Sequence, residues 1–223
     1  MKWASKCAAV IPCLNEEATI GSVVADLRRH LTTTIVVDDG SSDATATQAE
    51  AAGAIVLQNQ RNMGKGASLR MGWTHARQKG FSWALCLDGD GQHAPDDIPS
   101  FFKGAERTSA HLIVGNRMAD AAAMPWIRRF VNRWMSRRLS KASGTWLPDS
   151  QCGFRLMDLN VWSRLPVQCD HFEIESEVLL AFLKAGCRVE FVPVSTVYKS
   201  EQSKINPFSD TIRWFKWWRK TRH

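Results

Sequence analysis

The sequence has one tyrosine, no Cys-x-x-Cys pair and no apolar run approaching the roughly 20 residues of a membrane span. The last absence excludes a helix that crosses a bilayer, and the second argues against a zinc ribbon or a dithiol redox site. Its first residues, Met-Lys-Trp-Ala-Ser-Lys, lack the apolar stretch of a secretion signal. Six cysteines occur, at 7, 13, 86, 152, 169 and 187, and Cys7, Cys13, Cys86 and Cys187 lie in or beside apolar runs. That suits buried thiols in a reducing cytosol better than a disulfide framework. Two phosphate-binding signatures are missing as well. No G-x-G-x-x-G follows the first strand, and Gly64-Lys65-Gly66-Ala67-Ser68 lacks the upstream glycine of a G-x-x-x-x-G-K-[ST] loop. Finally, residues 121–148 contain no acidic side chain.

What is present is a 223-residue chain with 44% hydrophobic and 23% charged residues, enough for one large soluble domain. A net charge of +7 calls for an acidic partner: nucleic acid, anionic lipid or a phosphorylated substrate. Ten tryptophans favour cores and membrane interfaces alike. Short apolar runs at 7–13, 34–37, 54–57, 83–87 and 111–115 alternate with helical periodicity over about 15–30, 43–52, 66–79 and 95–107. Asn15 is expected to cap the first helix. This alternation predicts an α/β fold with right-handed βαβ units and a mostly parallel sheet.

In open α/β sheets ligands bind at the carboxyl ends of the strands. Polar clusters fall at those ends here: Asn15-Glu16-Glu17, Asp38-Asp39-Gly40-Ser41-Ser42-Asp43, Asp88-Gly89-Asp90 and Asn116-Arg117. Each taken alone is an ordinary turn or cap. Together they load one edge of the sheet with the parts of a metal–phosphate site. If the run through Leu87 continues as a strand, Asp88 and Asp90 point the same way about 6.6 Å apart and reach one cation. Gly89 then lets a ligand approach the backbone. A hard cation such as Mg²⁺ or Mn²⁺ would bridge a diphosphate, with Arg117 or Lys65 as further phosphate partners.

Four stretches, Val10-Ile-Pro12-Cys-Leu14-Asn15-Glu16-Glu17, Val36-Val37-Asp38-Asp39-Gly40-Ser41-Ser42-Asp43, Asn62-Met-Gly64-Lys65-Gly66 and Asp88-Gly-Asp90-Gly-Gln92-His93, stand in the order of the family 2 glycosyltransferases. Asn116-Arg117, Asp149-Ser-Gln-Cys-Gly-Phe-Arg155 and Phe172-Glu173-Ile-Glu175 extend the resemblance over almost the whole chain, closest to the polyprenyl-phosphate (dolichyl-phosphate) mannosyl- and glucosyltransferases. The resemblance implies a Rossmann-like GT-A fold, a UDP- or GDP-linked sugar as donor and Mg²⁺ or Mn²⁺ as cofactor. By position it assigns Pro12, Leu14, Glu16, Val37 and Asp39 to base and ribose. Asp88, Asp90 and Gln92 fall around the metal, Gly89 belongs to the donor site between them, and Arg117 faces the donor. Asp90, Arg117 and Asp149 are the residues it brings to catalysis. Leu14 replaces an aromatic common in the mannosyltransferase branch, and Gly89 replaces the more usual Ala.

On residues alone, 125–141 read as a basic amphipathic helix with Trp126, Ile127, Phe130, Val131, Trp134, Met135 and Leu139 on its apolar side. Residues 207–223 repeat the pattern, so the chain divides into a glycosyltransferase domain (1–206) and a C-terminal Trp-rich basic helix. Both helices are expected at an anionic membrane surface, which makes the protein cytoplasmic and peripheral. Nucleic acid could use basic residues with interleaved aromatics but has no need of the carboxylate edge. Asp149 is expected beside the attacking group. A hydroxyl acceptor would need it as a general base. A lipid phosphate, already anionic, would need it only for orientation and would use cations instead, among them Arg128, Arg129, Arg155 and Lys204. A nucleotidyltransferase and a non-enzymatic basic binder are the remaining alternatives.

Overall fold

A computed structural model describes residues 3–120, 124–196 and 207–221. Its centre is a seven-stranded sheet in the order β3-β2-β1-β4-β6-β5-β7. The strands are β1 (Cys7–Cys13), β2 (Thr34–Asp38), β3 (Ile55–Gln58), β4 (Trp83–Cys86), β5 (Leu112–Asn116), β6 (Arg155–Asp158) and β7 (Val189–Pro193). All neighbours pair parallel except β6, which runs antiparallel to both β4 and β5. The helices are α1 (Ile20–Leu27), α2 (Thr45–Ala51), α3 (Lys65–Gln78), α4 (Ile98–Thr108), α5 (Trp126–Ser143), α6 (Leu159–Trp162), α7 (Ile174–Lys184) and α8 (Pro207–Thr221).

β1 and β2 are apolar on both faces because helices cover both sides, which is the pattern of buried parallel strands. α3 crosses them so closely that a Cβ on Gly72 would strike Val10 and crowd Val37. β3 is the opposite case: Ile55 is exposed, as befits a strand at the sheet's edge.

The start of the first helix differs from the sequence expectation. Asn15 sits in the left-handed region (φ 53°), and α1 begins only at Ile20. Residues 15–17 are held instead by the loop after β2. Asn15 N donates to Ser41 Oγ (2.8 Å), Glu16 N to Thr45 Oγ1 (2.7 Å) and Glu17 N to Asp43 Oδ2 (3.2 Å). In return Ser42 N donates to Asn15 Oδ1 (2.8 Å) and Ala44 N to Glu17 Oε2 (2.9 Å). The side chains read as caps therefore join two strand ends into one rigid rim.

α8 packs into the domain. Trp214 and Trp218 are buried, stacked on each other with ring centroids 5.5 Å apart, and Trp214 Nε1 donates to Ser176 Oγ on α7 at 2.9 Å. Trp134 of α5 meets the Trp214 and Phe215 rings at 5.6 and 4.9 Å. The Trp-rich face expected at a bilayer is thus a helix-packing face. Among the described residues no helix is long and apolar enough to cross a membrane. All six cysteines are free, with Cys7, Cys13, Cys86 and Cys152 buried and Cys169 and Cys187 half-buried.

Candidate active site

A cleft of about 640 Å³ opens beyond the carboxyl ends of β1, β2 and β4. It brings together Pro12, Leu14, Glu16, Asp39, Asp88, Gly89, Asp90 and Gln92, and adds Lys65, Arg128, His171, Phe172 and Arg213. Arg128 comes from α5 and Arg213 from α8, so both basic helices reach the cleft wall. Neither Arg213 nor the 171–172 pair was singled out in the sequence as lining a pocket. Arg213 lies in a run where every third or fourth residue is basic, and nothing local marks the one that turns inward.

Asp39 shapes the rim. Its Oδ1 accepts from Asn59 Nδ2 (2.7 Å) and Met63 N (2.8 Å), and its Oδ2 accepts from Gly64 N (2.8 Å). The first amides of α3 do not form a phosphate cradle, because Gly66 N and Ala67 N donate to the Asp170 carbonyl at 2.6 and 3.1 Å. Gly64 (φ 98°) and Gly66 are required there, since a Cβ on either would collide with the 169–170 backbone, and one on Gly64 also with the His171 ring.

β4 ends at Cys86, so Asp88 and Asp90 sit in a turn rather than on an extended strand. Asp90 Oδ1 accepts from Gln92 N (3.0 Å), and Thr19 Oγ1 donates to the Gly89 carbonyl (2.7 Å). Gly89 has a packing reason beyond ligand access: a Cβ there would lie 2.5 Å from Cys13 Sγ. Lys65 Nζ lies 2.6 Å from Asp88 Oδ1 and 3.0 Å from Glu175 Oε1. Burial opposes ionisation of Asp88, but the Lys65 charge and the His93 hydrogen bond outweigh it and hold the carboxyl far below the ordinary range. Burial and the adjacent Asp88 charge push the Asp90 carboxyl upward.

The donor set suits a hard cation. Two carboxylates and the Gln92 amide oxygen lie on one turn in a polar cleft, and mutual repulsion of the carboxylates is relieved by a divalent ion. Among the described residues no group of three or more His, Cys, Asp or Glu could hold a metal by itself.

Of the expected site residues that the structure describes, Val37, Asp149, Arg117 and Arg155 do not line the cleft. Val37 is fully buried in the core, because β2 is covered on both faces and only residues beyond its end reach the cleft. Asp149 has no exposed surface and does not line the cleft. It accepts from Arg117 Nε (2.8 Å), Nη2 (3.0 Å) and backbone N (3.1 Å), and from Asn132 Nδ2 (2.9 Å). Arg117, 7% exposed, is likewise turned inward to this pair. Lys204 lies outside the described residues. Arg155, considered for an acceptor phosphate, is buried and donates to the Cys152, Ser150 and Glu175 carbonyls at 2.6, 3.0 and 2.6 Å.

The seven-stranded sheet has one reversed strand, and an acidic, cation-flanked cleft opens at its carboxyl edge, an architecture of GT-A type. Comparison with known proteins agrees: residues 8–164 match the family model for glycosyl transferase family 2. The chain belongs to that family and is a glycosyltransferase. It is similar to a UDP-N-acetylglucosamine–dolichyl-phosphate N-acetylglucosaminyltransferase of Methanococcus voltae, at 29% identity over 85% of this chain and 84% of the relative. An undecaprenyl-phosphate mannosyltransferase of Micrococcus luteus is 28% identical over 70% of this chain and 63% of its own length. The fold is shared with Mycobacterium tuberculosis glucosyl-3-phosphoglycerate synthase, solved with Mn²⁺, uridine diphosphate and phosphoglyceric acid. That similarity has a TM-score of 0.72 and 20% identity over 95% of this chain and 75% of the other.

Proposed function

We propose that this protein transfers one sugar, with inversion, from a UDP- or GDP-linked donor to a polyprenyl phosphate at the cytosolic face of a membrane. The nucleotide occupies the rim formed by Pro12, Leu14, Glu16 and Asp39. Asp88, Asp90 and Gln92 would hold Mg²⁺ or Mn²⁺, which would supply positive charge against the diphosphate. The acceptor phosphate is held on the opposite wall by Arg128 and Arg213, and one of its oxygens attacks the anomeric carbon from the side opposite the diphosphate.

One observation carries the choice of acceptor. Asp149, the base that a hydroxyl acceptor would need, is completely buried in its pair with Arg117, whereas arginines of α5 and α8 line the cleft. A phosphate monoester is largely ionised near neutral pH and needs cations rather than a base. Membrane contact is supported by the first turns of α5, where Trp126, Ile127 and Phe130 are 71%, 53% and 67% exposed next to Arg128. The names of the M. voltae and M. luteus relatives, both acting on polyprenyl-type phosphates, support the same acceptor class.

The deciding experiment incubates the purified protein with Mg²⁺ or Mn²⁺, a panel of labelled nucleotide sugars and vesicles containing a polyprenyl phosphate. Label should appear in an organic-phase sugar–phosphate lipid, with the free nucleoside diphosphate released. Label confined to water-soluble products would refute the lipid acceptor, and release of pyrophosphate would indicate nucleotidyl transfer.

A further inference from the structure

Lys65 occupies an unusual place for a cation in a cleft meant for a metal. Its ammonium is wedged between Asp88, a proposed metal ligand, and Glu175, which stands behind the cleft on α7. Glu175 is fixed from its other side, where Arg155 Nε lies 3.0 Å from Oε2. The Phe172 ring contributes a further contact, with its centroid 5.5 Å from the Lys65 nitrogen. Space around the pair exists only because residue 153 is glycine: a Cβ there would lie 2.9 Å from Nζ and 3.0 Å from Asp88 Oδ2. The chain has therefore built a seat for one positive charge against Asp88.

We infer that Lys65 is a resident cation that a divalent metal must displace from Asp88, making it a positioning residue that couples metal binding to arrival of the diphosphate. This rests on the reading of Asp88, Asp90 and Gln92 as the metal site. A metal entering alone meets a carboxylate already neutralised and an ammonium that repels it. Glu175 offers the ammonium a partner when it leaves Asp88. A diphosphate beside the metal offers it a second, since lysine binds phosphate as a mobile point charge. Metal and diphosphate thus favour each other's binding through one side chain, and the coupling is reciprocal.

The test measures Mn²⁺ binding to the full chain by loss of the free-ion paramagnetic resonance signal, with and without UDP or GDP, against protein-free nucleotide controls. In the unaltered protein, Mn²⁺ alone binds weakly and a diphosphate tightens it tenfold or more. Lys65→Met should tighten Mn²⁺ alone at least fivefold and shrink the diphosphate effect. Glu175→Gln should do the reverse, weakening Mn²⁺ alone, because Lys65 is then left to Asp88. Opposite signs separate coupling from general damage, and circular dichroism confirms that each variant is folded. Should Lys65→Met not fold, the Glu175→Gln measurement decides. Folded variants that bind Mn²⁺ as the unaltered protein does would overturn the inference while leaving the metal site standing. Failure of every form to bind Mn²⁺ with either nucleotide would sink the metal reading, and this inference with it.

Discussion

Arg117 and Asp149 form a two-point ion pair, Nε to Oδ2 at 2.8 Å and Nη2 to Oδ1 at 3.0 Å, buried behind the cleft. Removing one partner of a buried pair strands the other charge, which costs about 3–5 kcal/mol. Asp149→Asn should lose that much stability in urea unfolding at pH 7. Burial raises the Asp149 carboxyl, but the Arg117 charge and the hydrogen bonds from Arg117 and Asn132 prevail and hold it below its ordinary value. A carboxyl depressed in the folded state stabilises above its unfolded pKa, about 4, and that stability is lost as pH falls through the folded value. The acid limb of the stability curve below about pH 4 should therefore be shallower in Asp149→Asn. Transfer to a polyprenyl phosphate should survive at temperatures where this variant is folded. Complete loss there would return Asp149 to the reaction site as an orienting residue.

Gly89 faces Cys13 at the end of β1. A methyl at position 89 would lie 2.5 Å from the Cys13 sulfur, too close for any real contact. Gly89→Ala should lower stability by about 1–3 kcal/mol through overpacking. The double change with Cys13→Ala should recover most of the loss, because the clashing sulfur is gone. A double-mutant cycle read by thermal unfolding checks the coupling, and additive effects would show that the contact does not matter.

The two basic helices should respond differently to truncation of their aromatic residues. Trp214 is 2% exposed and bonded to Ser176, so Trp214→Ala should cost about 3–5 kcal/mol of stability. Trp126→Ser, Ile127→Ser and Phe130→Ser together should barely alter unfolding. They should weaken sedimentation with anionic vesicles at least tenfold, since exposed aromatics and basic residues drive interfacial binding. Unchanged vesicle binding would remove α5 as the membrane contact.

Replacing both Asp88 and Asp90 by Ala should abolish sugar transfer, at least a thousandfold, and eliminate Mn²⁺ binding, while vesicle binding persists. Loss of the two carboxylates proposed to hold the cation would remove its charge-assisted ligands. A double variant that still transfers sugar would refute the assignment of the metal site.

Much of this molecule could be read directly from its residues. The alternation of apolar runs with helical periodicity marked five of the seven strands, and the polar clusters after them marked the edge where the cleft opens. Those signals are local: an apolar run ends, a turn follows, and the side chains on that turn belong to the carboxyl edge whatever the rest of the chain does. β6 (Arg-Leu-Met-Asp) and β7 (Val-Glu-Phe-Val-Pro) escaped notice because charged residues flank or interrupt their apolar positions, so neither stands out as an apolar run.

Side-chain direction and charge pairing were decided only in three dimensions. Asp149 and Arg117 are far apart in sequence and each looks like a site residue alone. Folding brings them together, and low-dielectric burial makes each the other's partner. Lys65 reads as a phosphate partner in the sequence, and only the fold sets it between Asp88 and Glu175. The same amphipathic pattern describes α5 and α8, yet α8 buries Trp214 against α5 and α7 whereas the first turns of α5 remain bare. Periodicity fixes which residues share a helix face, but the surface that face meets is set by the tertiary neighbours.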